Sequence, residues 1–285
     1  MVSHARDTGP HHRPHHGPHH GTHHGPHRSR EVCDEHETLD QVRTHAGEAV
    51  QELRDGRLGS AIESAAEIVD AVRPRLRGWL HAAAFPLVVL AGLALVATTP
   101  TERGRIGVAV FVATAALLFG TSALYHRGRW RPPAHRLLKR LDHANIFLII
   151  AGTYTAFAMT LLPTGQARTL LVIMWVCASA GVVFKVCWVS APRWLSTPIY
   201  IGLGWVAIFY VEPFYRSGGA LVLGLIVAGG VLYTLGGIVY GLRRPDPSPR
   251  LFGFHEIFHA LTVAAFAAHF AAAAVVVASG VALQA

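Results

Sequence analysis

The sequence contains few charged residues, and this scarcity is the first constraint on its fold class. Charged side chains make up 15% of the 285 residues and hydrophobic ones 52%, whereas about a quarter of a soluble domain is charged. Many of the charges lie in the first 77 residues, and long later segments contain none. This distribution excludes an ordinary soluble domain and predicts an all-α, polytopic membrane protein with a polar N-terminal extension.

Cysteines are also scarce, and no secretory signal is evident. Cys33, Cys177 and Cys187 do not form the pattern of a disulfide framework. The N-terminus lacks the apolar segment of a cleavable signal peptide. The net charge of +8 comes largely from basic residues in short loops between apolar segments. That placement is typical of membrane orientation, so we expect no nucleic-acid partner.

The N-terminal extension divides into two parts. Ten of the 19 histidines lie in the first 30 residues, in HHRP, HHGP and HHGT repeats of period four. Glycine and proline prevent a stable helix there, so residues 1–37 are predicted to be a disordered His-rich tail. The repeat favours either weak binding of transition metals or no role. Residues 38–72 show apolar stripes behind capping boxes and predict cytoplasmic amphipathic helices, which pack on the protein, lie on the membrane or pair with a partner.

The remaining residues, 73–285, are predicted to form a membrane domain of seven transmembrane helices. The seven apolar spans are residues 78–98, 106–126, 143–162, 169–189, 195–211, 219–241 and 254–278. Alternate flanks, at residues 73–77, 127–140, 193 and 243–250, contain thirteen Lys and Arg residues, whereas the opposite flanks contain four. Because positive charge favours the cytoplasmic side, we predict a cytoplasmic N-terminus in the inner cell membrane.

The last span contains ionisable residues that are costly inside a bilayer and therefore suggest a function. His255 and His259 are four residues apart and share one face of a helix. They either bind one metal ion or make polar contacts between helices. The sequence HEIFH also matches the H-E-x-x-H motif of zinc proteases, in which Glu256 would be the general base. We disfavour that interpretation because the motif normally lies in a water-filled cleft.

The predicted topology places further polar residues at the same depth. His126 ends the second span and Asp142 precedes the third, both on the side where His255 and His259 begin the seventh. Three imidazoles with one open position are the ligand set of a catalytic zinc, which lowers the pKa of its water to about 7. Asp142 would accept a proton from that water or orient it, or would be a helix N-terminal charge that is favoured by the dipole and paired with a loop arginine. Ser122 would support the site, donate a hydrogen bond to an oxyanion during catalysis, or make an ordinary interhelical hydrogen bond.

Three stretches resemble the signature sequences of the hemolysin III family, which belongs with the progestin and adiponectin receptors. They are residues 122–126, 141–155 and 252–270, with the sequences SALYH, LDHANIFLIIAGTYT and FGFHEIFHALTVAAFAAHF. The sequence PRLRGWLH at residues 74–81 is also similar to that family. The resemblance covers about residues 73–278. One departure is Ala156, where many relatives have a proline after GTYT.

The resemblance implies a seven-helix bundle with the N-terminus inside and a zinc ion near the cytoplasmic face. The zinc ligands of the family correspond to His126, His255 and His259, with Asp142 close to the zinc-bound water and Ser122 nearby. His143 and His269 also fit the family pattern but are not ligands in it. We predict that His143 is an interfacial residue and that His269 makes polar contacts between helices.

Three functions follow from this resemblance. The first is a zinc-dependent intramembrane hydrolase of a lipid amide, such as a ceramide-like substrate, with Asp142 as general base. The second is a non-catalytic, receptor-like or stress-response membrane protein with a structural zinc. The third is a pore-forming cytolysin. It is the weakest of the three, because an inner-membrane bundle with a cytoplasmic N-terminus is not suited to release onto foreign cells. In each case membrane lipids are the expected partners.

Overall fold

The computed structural model describes residues 43, 44, 46–48, 50, 51, 53, 54, 76, 78–248 and 251–280. The chain divides into two units, Met1–Val72 and Arg73–Ala285. In the first unit, all nine described residues between 43 and 54 are helical. The predicted His-rich tail, residues 1–37, lies outside the described residues. The division into tail, amphipathic segment and membrane domain therefore stays a prediction.

In the described part of the second unit, helices joined by short loops are the regular secondary structure, and one isolated bridge pairs Ser248 with Phe252. A short 3₁₀ segment, Trp205–Tyr210, follows the fifth helix. The seven α-helices are α1 (Trp79–Thr98), α2 (Glu102–Arg127), α3 (Pro132–Leu161), α4 (Thr164–Cys187), α5 (Arg193–Gly204), α6 (Val211–Leu242) and α7 (Phe254–Ala278).

Six helical stretches are long and apolar enough to cross a membrane, when Arg193–Leu242 is taken as one stretch of 50 residues. Their exteriors carry large apolar side chains, such as Leu87 and Leu90, each 67% exposed. Lipid is the solvent that suits such an apolar surface. Helices can cross it because they satisfy their own backbone hydrogen bonds. The chain is therefore an all-α, multi-pass membrane protein, as its composition predicts.

The stretch Arg193–Leu242 doubles back on itself. A Cβ on Gly237 would lie 3.3 Å from the side chain of Ile201, and one on Gly241 would lie 3.6 Å from Thr197 Oγ1. Trp205 Nε1 donates a hydrogen bond of 2.9 Å to Thr234 Oγ1. These contacts pair later residues of the α5 segment with earlier residues of α6, so the two helices pack antiparallel.

Two irregular segments accompany this reversal. The 3₁₀ segment Trp205–Tyr210 follows α5, and Gly219 interrupts α6 with φ 74°. A positive φ is readily adopted by glycine alone, so Gly219 allows the chain to change direction there. Tyr154 of α3 satisfies the polar backbone of the 3₁₀ segment. Its hydroxyl donates to the Gly204 carbonyl oxygen and accepts from the Ala207 amide, each at 2.6 Å.

Helix α3 lies at the centre of the bundle, where it packs against α2, α4, α5, α6 and α7. Helix α1 packs on α2 and α7. Small residues allow the close approaches, as expected where helices associate in lipid. A Cβ on Gly152 of α3 would overlap Thr114 of α2, and one on Gly181 of α4 would overlap Phe147 of α3.

The predicted bounds agree with the structure in some helices and differ in others. Helix α7 has the predicted bounds, Phe254–Ala278. Helix α3 begins at Pro132 rather than at residue 143, because a charged segment continues the helix before the apolar span. Asp142 consequently lies about three turns inside α3. Its interpretation as a helix N-terminal charge was therefore wrong.

Candidate metal centre

Three histidines from two helices meet at one end of the bundle. His126 lies in the last turn of α2, and His255 and His259 lie in the first two turns of α7. One ring nitrogen from each lies within 4.8 Å of the other two. The Nε2 atoms of His126 and His255 are 3.2 Å apart. The sequence thus identified three residues that the structure brings together.

The start of α7 is fixed by two acidic residues, one inside the helix and one in the loop before it. Glu256 Oε2 accepts a hydrogen bond of 2.9 Å from the Gly253 amide, and Asp246 Oδ1 accepts one of 2.9 Å from the Phe254 amide. These bonds satisfy amides that a helix N-terminus otherwise leaves unpaired. Because the Glu256 carboxylate is 1% exposed and binds its own helix end, its position does not support the protease interpretation.

Asp142 and Ser122 complete the polar group around His126. Asp142 Oδ2 is 3.6 Å from His126 Nε2. The Ser122 hydroxyl, one turn before His126 on α2, makes a side-chain hydrogen bond with Asp142. This bond links α2 to α3, so Ser122 also makes the ordinary interhelical contact that we considered. Nearby, Asn145 of α3 donates hydrogen bonds of 3.1 Å to Leu117 O and Thr121 Oγ1 of α2. These bonds also connect α3 to α2.

His81 of α1 is a neighbour of this cluster that our sequence reasoning did not assign. Its ring stacks on His259 with centroids 3.8 Å apart and planes 10° apart, and it also contacts the Phe119 ring edge to face, with centroids 5.0 Å apart. It is 2% exposed, so α1 closes the cluster on that side. The sequence feature that could have identified His81 is its place in PRLRGWLH, at the predicted cytoplasmic end of the first span.

His143 and His269 lie outside the cluster. His143 Nδ1 donates to the Lys139 carbonyl at 2.7 Å, and its Nε2 is 3.3 Å from the Tyr240 hydroxyl of α6. The His269 Nε2 hydrogen bond to Ile226 O, at 3.0 Å, joins α7 to α6. The prediction that His269 makes a polar contact between helices is therefore confirmed.

An apolar cavity of about 190 Å³ extends from the cluster into the bundle. Its cluster end includes His81, Ser122, Asp142 and His259, and most of its wall consists of apolar side chains. The lining also includes Trp205, Ile208 and Val211, which are 38%, 57% and 40% exposed. The cavity therefore extends to the 3₁₀ segment, whose side chains also contribute to the outer, apolar surface of the bundle.

The three histidines fit a tetrahedral metal site. With zinc–nitrogen bonds of about 2.1 Å, two ligands of a tetrahedron are separated by about 3.4 Å, close to the 3.2 Å between the Nε2 atoms of His126 and His255. His259 is near enough to reach the same point after a small side-chain movement, since all three nitrogens lie within 4.8 Å. Imidazole suits several transition metals, so this geometry supports a metal ion without identifying it.

The fold and this cluster define a class: multi-pass helical membrane proteins in which three histidines are near enough to hold one metal ion beside an apolar cavity. A family model described as "Haemolysin-III related" matches residues 69–270, well over half of the chain. The chain therefore belongs to the haemolysin III family, as its signature stretches predict.

Two relatives show the same similarity. A protein named "Hemolysin-3 homolog" from Bacillus subtilis (strain 168) is 35% identical over 161 residues, which cover 56% of this chain and 72% of that protein. A protein named "Hemolysin-3" from Bacillus cereus is 36% identical over 140 residues, which cover 49% of this chain and 64% of that protein, slightly less than two thirds.

Proposed function

We propose that this protein is a zinc-dependent hydrolase of a lipid amide, such as a ceramide-like lipid, in the inner cell membrane. The main supporting observation is the position of Asp142, 3.6 Å from a metal-competent histidine and at the end of an apolar cavity. A bound zinc would supply a Lewis acid and an activated water at that end. The cavity would hold the acyl chain and exclude bulk water.

The chain's own residues would transfer the proton, position the carboxylate and bind the metal. Asp142 would take a proton from the attacking water and pass it to the amine that leaves when the amide C–N bond breaks. Ser122 would hold the Asp142 carboxylate in position through their hydrogen bond. His126, His255 and His259 would bind the zinc, and the His81 ring would restrict the rotation of the His259 ring that stacks on it.

A non-catalytic protein with a structural zinc is the second candidate. The same distance favours it, because a carboxylate oxygen 3.6 Å from a ligand nitrogen is near enough to be a fourth ligand. Structural zinc sites have four protein ligands, whereas catalytic sites leave one position open. In that case the protein would be a receptor-like or stress-response protein whose zinc stabilises the helices.

We also propose seven membrane crossings with a cytoplasmic N-terminus. The antiparallel packing of α5 on α6 supports two crossings within Arg193–Leu242, and the distribution of Lys and Arg supports the orientation. The candidate metal centre would then lie near the cytoplasmic face. The His-rich tail would share that compartment and bind transition metals weakly.

Hydrolysis can be tested with purified protein and N-acyl lipids, ceramide among them, by measuring the free acid released. We expect Asp142→Asn to lower the rate by about 10²-fold or more, the contribution of a general base, while zinc content stays unchanged. Glu212→Gln is the matched carboxylate control, because Glu212 is 71% exposed and pairs with Arg216 on the surface.

Other results would favour other functions. Loss of zinc in Asp142→Asn, without hydrolysis by the wild type, would support the structural site. Both relatives are named as haemolysins, so lysis of intact red cells is a separate assay. Lysis that persists in Asp142→Asn would favour the pore-forming function instead.

A further inference from the structure

An open groove lies on the outer surface of the bundle where α2 ends. It has a volume of about 290 Å³ and is lined by Ala123, Leu124, Arg127, Gly128 and Trp130. It shares no lining residue with the cavity beside the candidate metal centre. The proposed hydrolysis gives this groove no role, so its chemistry can be considered separately.

The part of the groove that lies along α2 is apolar. Leu124 is 54% exposed, and Leu117, seven residues earlier in the same helix, is 52% exposed. Residues seven apart lie about two turns apart on the same face of a helix, roughly 10 Å along its axis. This exposed apolar strip, on a helix that can cross a membrane, fits an acyl chain lying along the helix.

The other end of the groove is cationic. Arg127 lies in the last turn of α2 and is exposed. Its guanidinium lies over the indole of Trp79 of α1, with Cζ 3.6 Å from the ring centroid, which is a cation–π contact. A guanidinium that stacks by its face can still donate from the N–H groups along its edge, and these match the oxygens of a phosphate.

Trp130 forms the third wall of the groove, and a glycine makes room for it. Its indole Nε1 donates a hydrogen bond of 2.8 Å to the Leu124 carbonyl oxygen. A Cβ on Gly128 would overlap that indole. The bond also satisfies a carbonyl at the C-terminal end of α2, whose partial negative charge would otherwise oppose an anion. Tryptophan is typical of the depth at which lipid headgroups lie.

The charge of the groove selects among phospholipids. Of the described residues that line it, Arg127 is basic and none is acidic. Arg129 and Arg131, both exposed, follow in the same loop. A phosphatidylcholine would bring its choline cation close to these arginines, whereas an anionic phospholipid brings no such charge. Charge complementarity therefore favours the anionic lipid.

We propose that this groove binds an anionic phospholipid, with its phosphate at Arg127 and one acyl chain along Leu124 and Leu117. The proposal is independent of zinc and of hydrolysis. In the proposed orientation the groove lies at the inner leaflet, where anionic lipids are expected to meet the basic loops of the protein.

The test is the dissociation constant of the first bound lipid, measured by native mass spectrometry of the full-length protein in detergent. The probes are phosphatidylglycerol and phosphatidylcholine with the same acyl chains. We expect the wild type to bind phosphatidylglycerol about fivefold more tightly, the contribution of one arginine near a headgroup. Arg127→Gln should weaken phosphatidylglycerol binding by the same factor. Arg136→Gln removes the same charge from an exposed position in α3 outside the groove, and it should bind this lipid as the wild type does.

Gly128→Ala tests the shape of the groove without changing its charge. The added methyl group should displace the Trp130 indole, which is 40% exposed and therefore has room to move. We expect weaker binding of phosphatidylglycerol, although every arginine is kept. If Arg127→Gln does not yield folded protein, Gly128→Ala decides the question alone.

Several results would overturn the proposal. Equal affinity of the wild type for the two lipids would show that the groove does not select an anion. Equal losses in Arg127→Gln and Arg136→Gln would indicate general attraction to a basic surface, as would unchanged binding in Gly128→Ala. Displacement of phosphatidylglycerol by inorganic phosphate at the same concentration would mean that the acyl chain contributes nothing and that the groove is an anion site only.

Discussion

At the scale of single residues, the candidate metal centre depends on groups that are not ligands. Glu256 caps α7, Ser122 binds Asp142, and His81 stacks on His259. Gly78 has a further role, because it allows the start of α1 to approach the backbone of α2 at His126. A Cβ on Gly78 would lie 2.7 Å from His126 Cβ, and Gly78 has a φ of 79°.

We therefore expect Gly78→Ala to affect both stability and metal content. The left-handed conformation costs a residue with a side chain about 1–2 kcal/mol, and the contact would displace His126 from the other two imidazoles. Thermal unfolding in detergent should show a lower Tm, and metal analysis should show less zinc per chain.

Gly224→Ala is the matched control for this substitution. Gly224 lies inside α6, and a Cβ there would meet nothing within 4 Å. Alanine in a helix interior is more favourable than glycine by about 0.5–1 kcal/mol, so this variant should be at least as stable as the wild type. A Gly78→Ala protein with unchanged Tm and zinc would show that the approach of α1 is unimportant for the centre.

At the scale of secondary-structure elements, the least regular part of the bundle is α5 with the 3₁₀ segment that follows it. Tyr154 of α3 is the residue that holds this segment, through bonds to the Gly204 carbonyl and the Ala207 amide. The segment also lines the cavity. Its order should therefore affect the shape of the cavity.

Tyr154→Phe should loosen this segment. The substitution removes one hydrogen bond from a backbone donor and one from a backbone acceptor, each of which contributes about 0.5–1.5 kcal/mol. We expect a lower Tm and faster amide hydrogen exchange around residues 204–210, with little change in α7. Exchange as slow as in the wild type would mean that the tyrosine does not hold the segment; Tyr215→Phe provides the comparison for loss of a hydroxyl alone.

These elements also show how much of the fold the sequence predicts. The bounds of α7 could be predicted because its apolar span, its acidic capping residue and the glycine before it all lie within one local segment. The 3₁₀ segment could not, because the tyrosine that satisfies it lies about 50 residues earlier in the chain. The start of α3 could not be predicted either. Its first turns are charged, and a search for apolar spans does not detect charged helical turns.

The candidate site was predictable to a similar extent. His126, His255 and His259 could be grouped because the predicted topology put them at one depth in apolar helices. His81 was missed because a single histidine near a helix start carries no periodic signal. The hydrogen bond between Ser122 and Asp142 required the relative rotation of α2 and α3, which interhelical packing determines.

At the scale of the whole molecule, the antiparallel packing of α5 and α6 bears on the number of membrane crossings. With seven crossings, the segments before α3 and before α7 lie on the cytoplasmic side, and the segments before α4 and after α7 lie outside. With a single crossing in Arg193–Leu242, the segment before α7 would change sides. The two arrangements therefore differ in a way that labelling can detect.

We predict this labelling pattern for single cysteines placed in a chain without its three natural ones. In intact cells, a membrane-impermeant thiol reagent should label Gly165→Cys and Ser279→Cys but not Arg131→Cys or Pro247→Cys. All four should react after the membrane is permeabilised, which is the control for exposure. Labelling of Pro247→Cys together with Gly165→Cys in intact cells would refute seven crossings.

The central claim is that His126, His255 and His259 bind one zinc ion, and its most direct test is the zinc content of the purified protein. The His-rich tail, residues 1–37, is deleted so that it contributes no metal, and His135→Ala serves as the control for loss of a histidine outside the cluster. We predict one zinc per chain in the otherwise native protein and in His135→Ala. The double variant His255→Ala, His259→Ala should retain almost none, and full zinc occupancy in it would contradict the account.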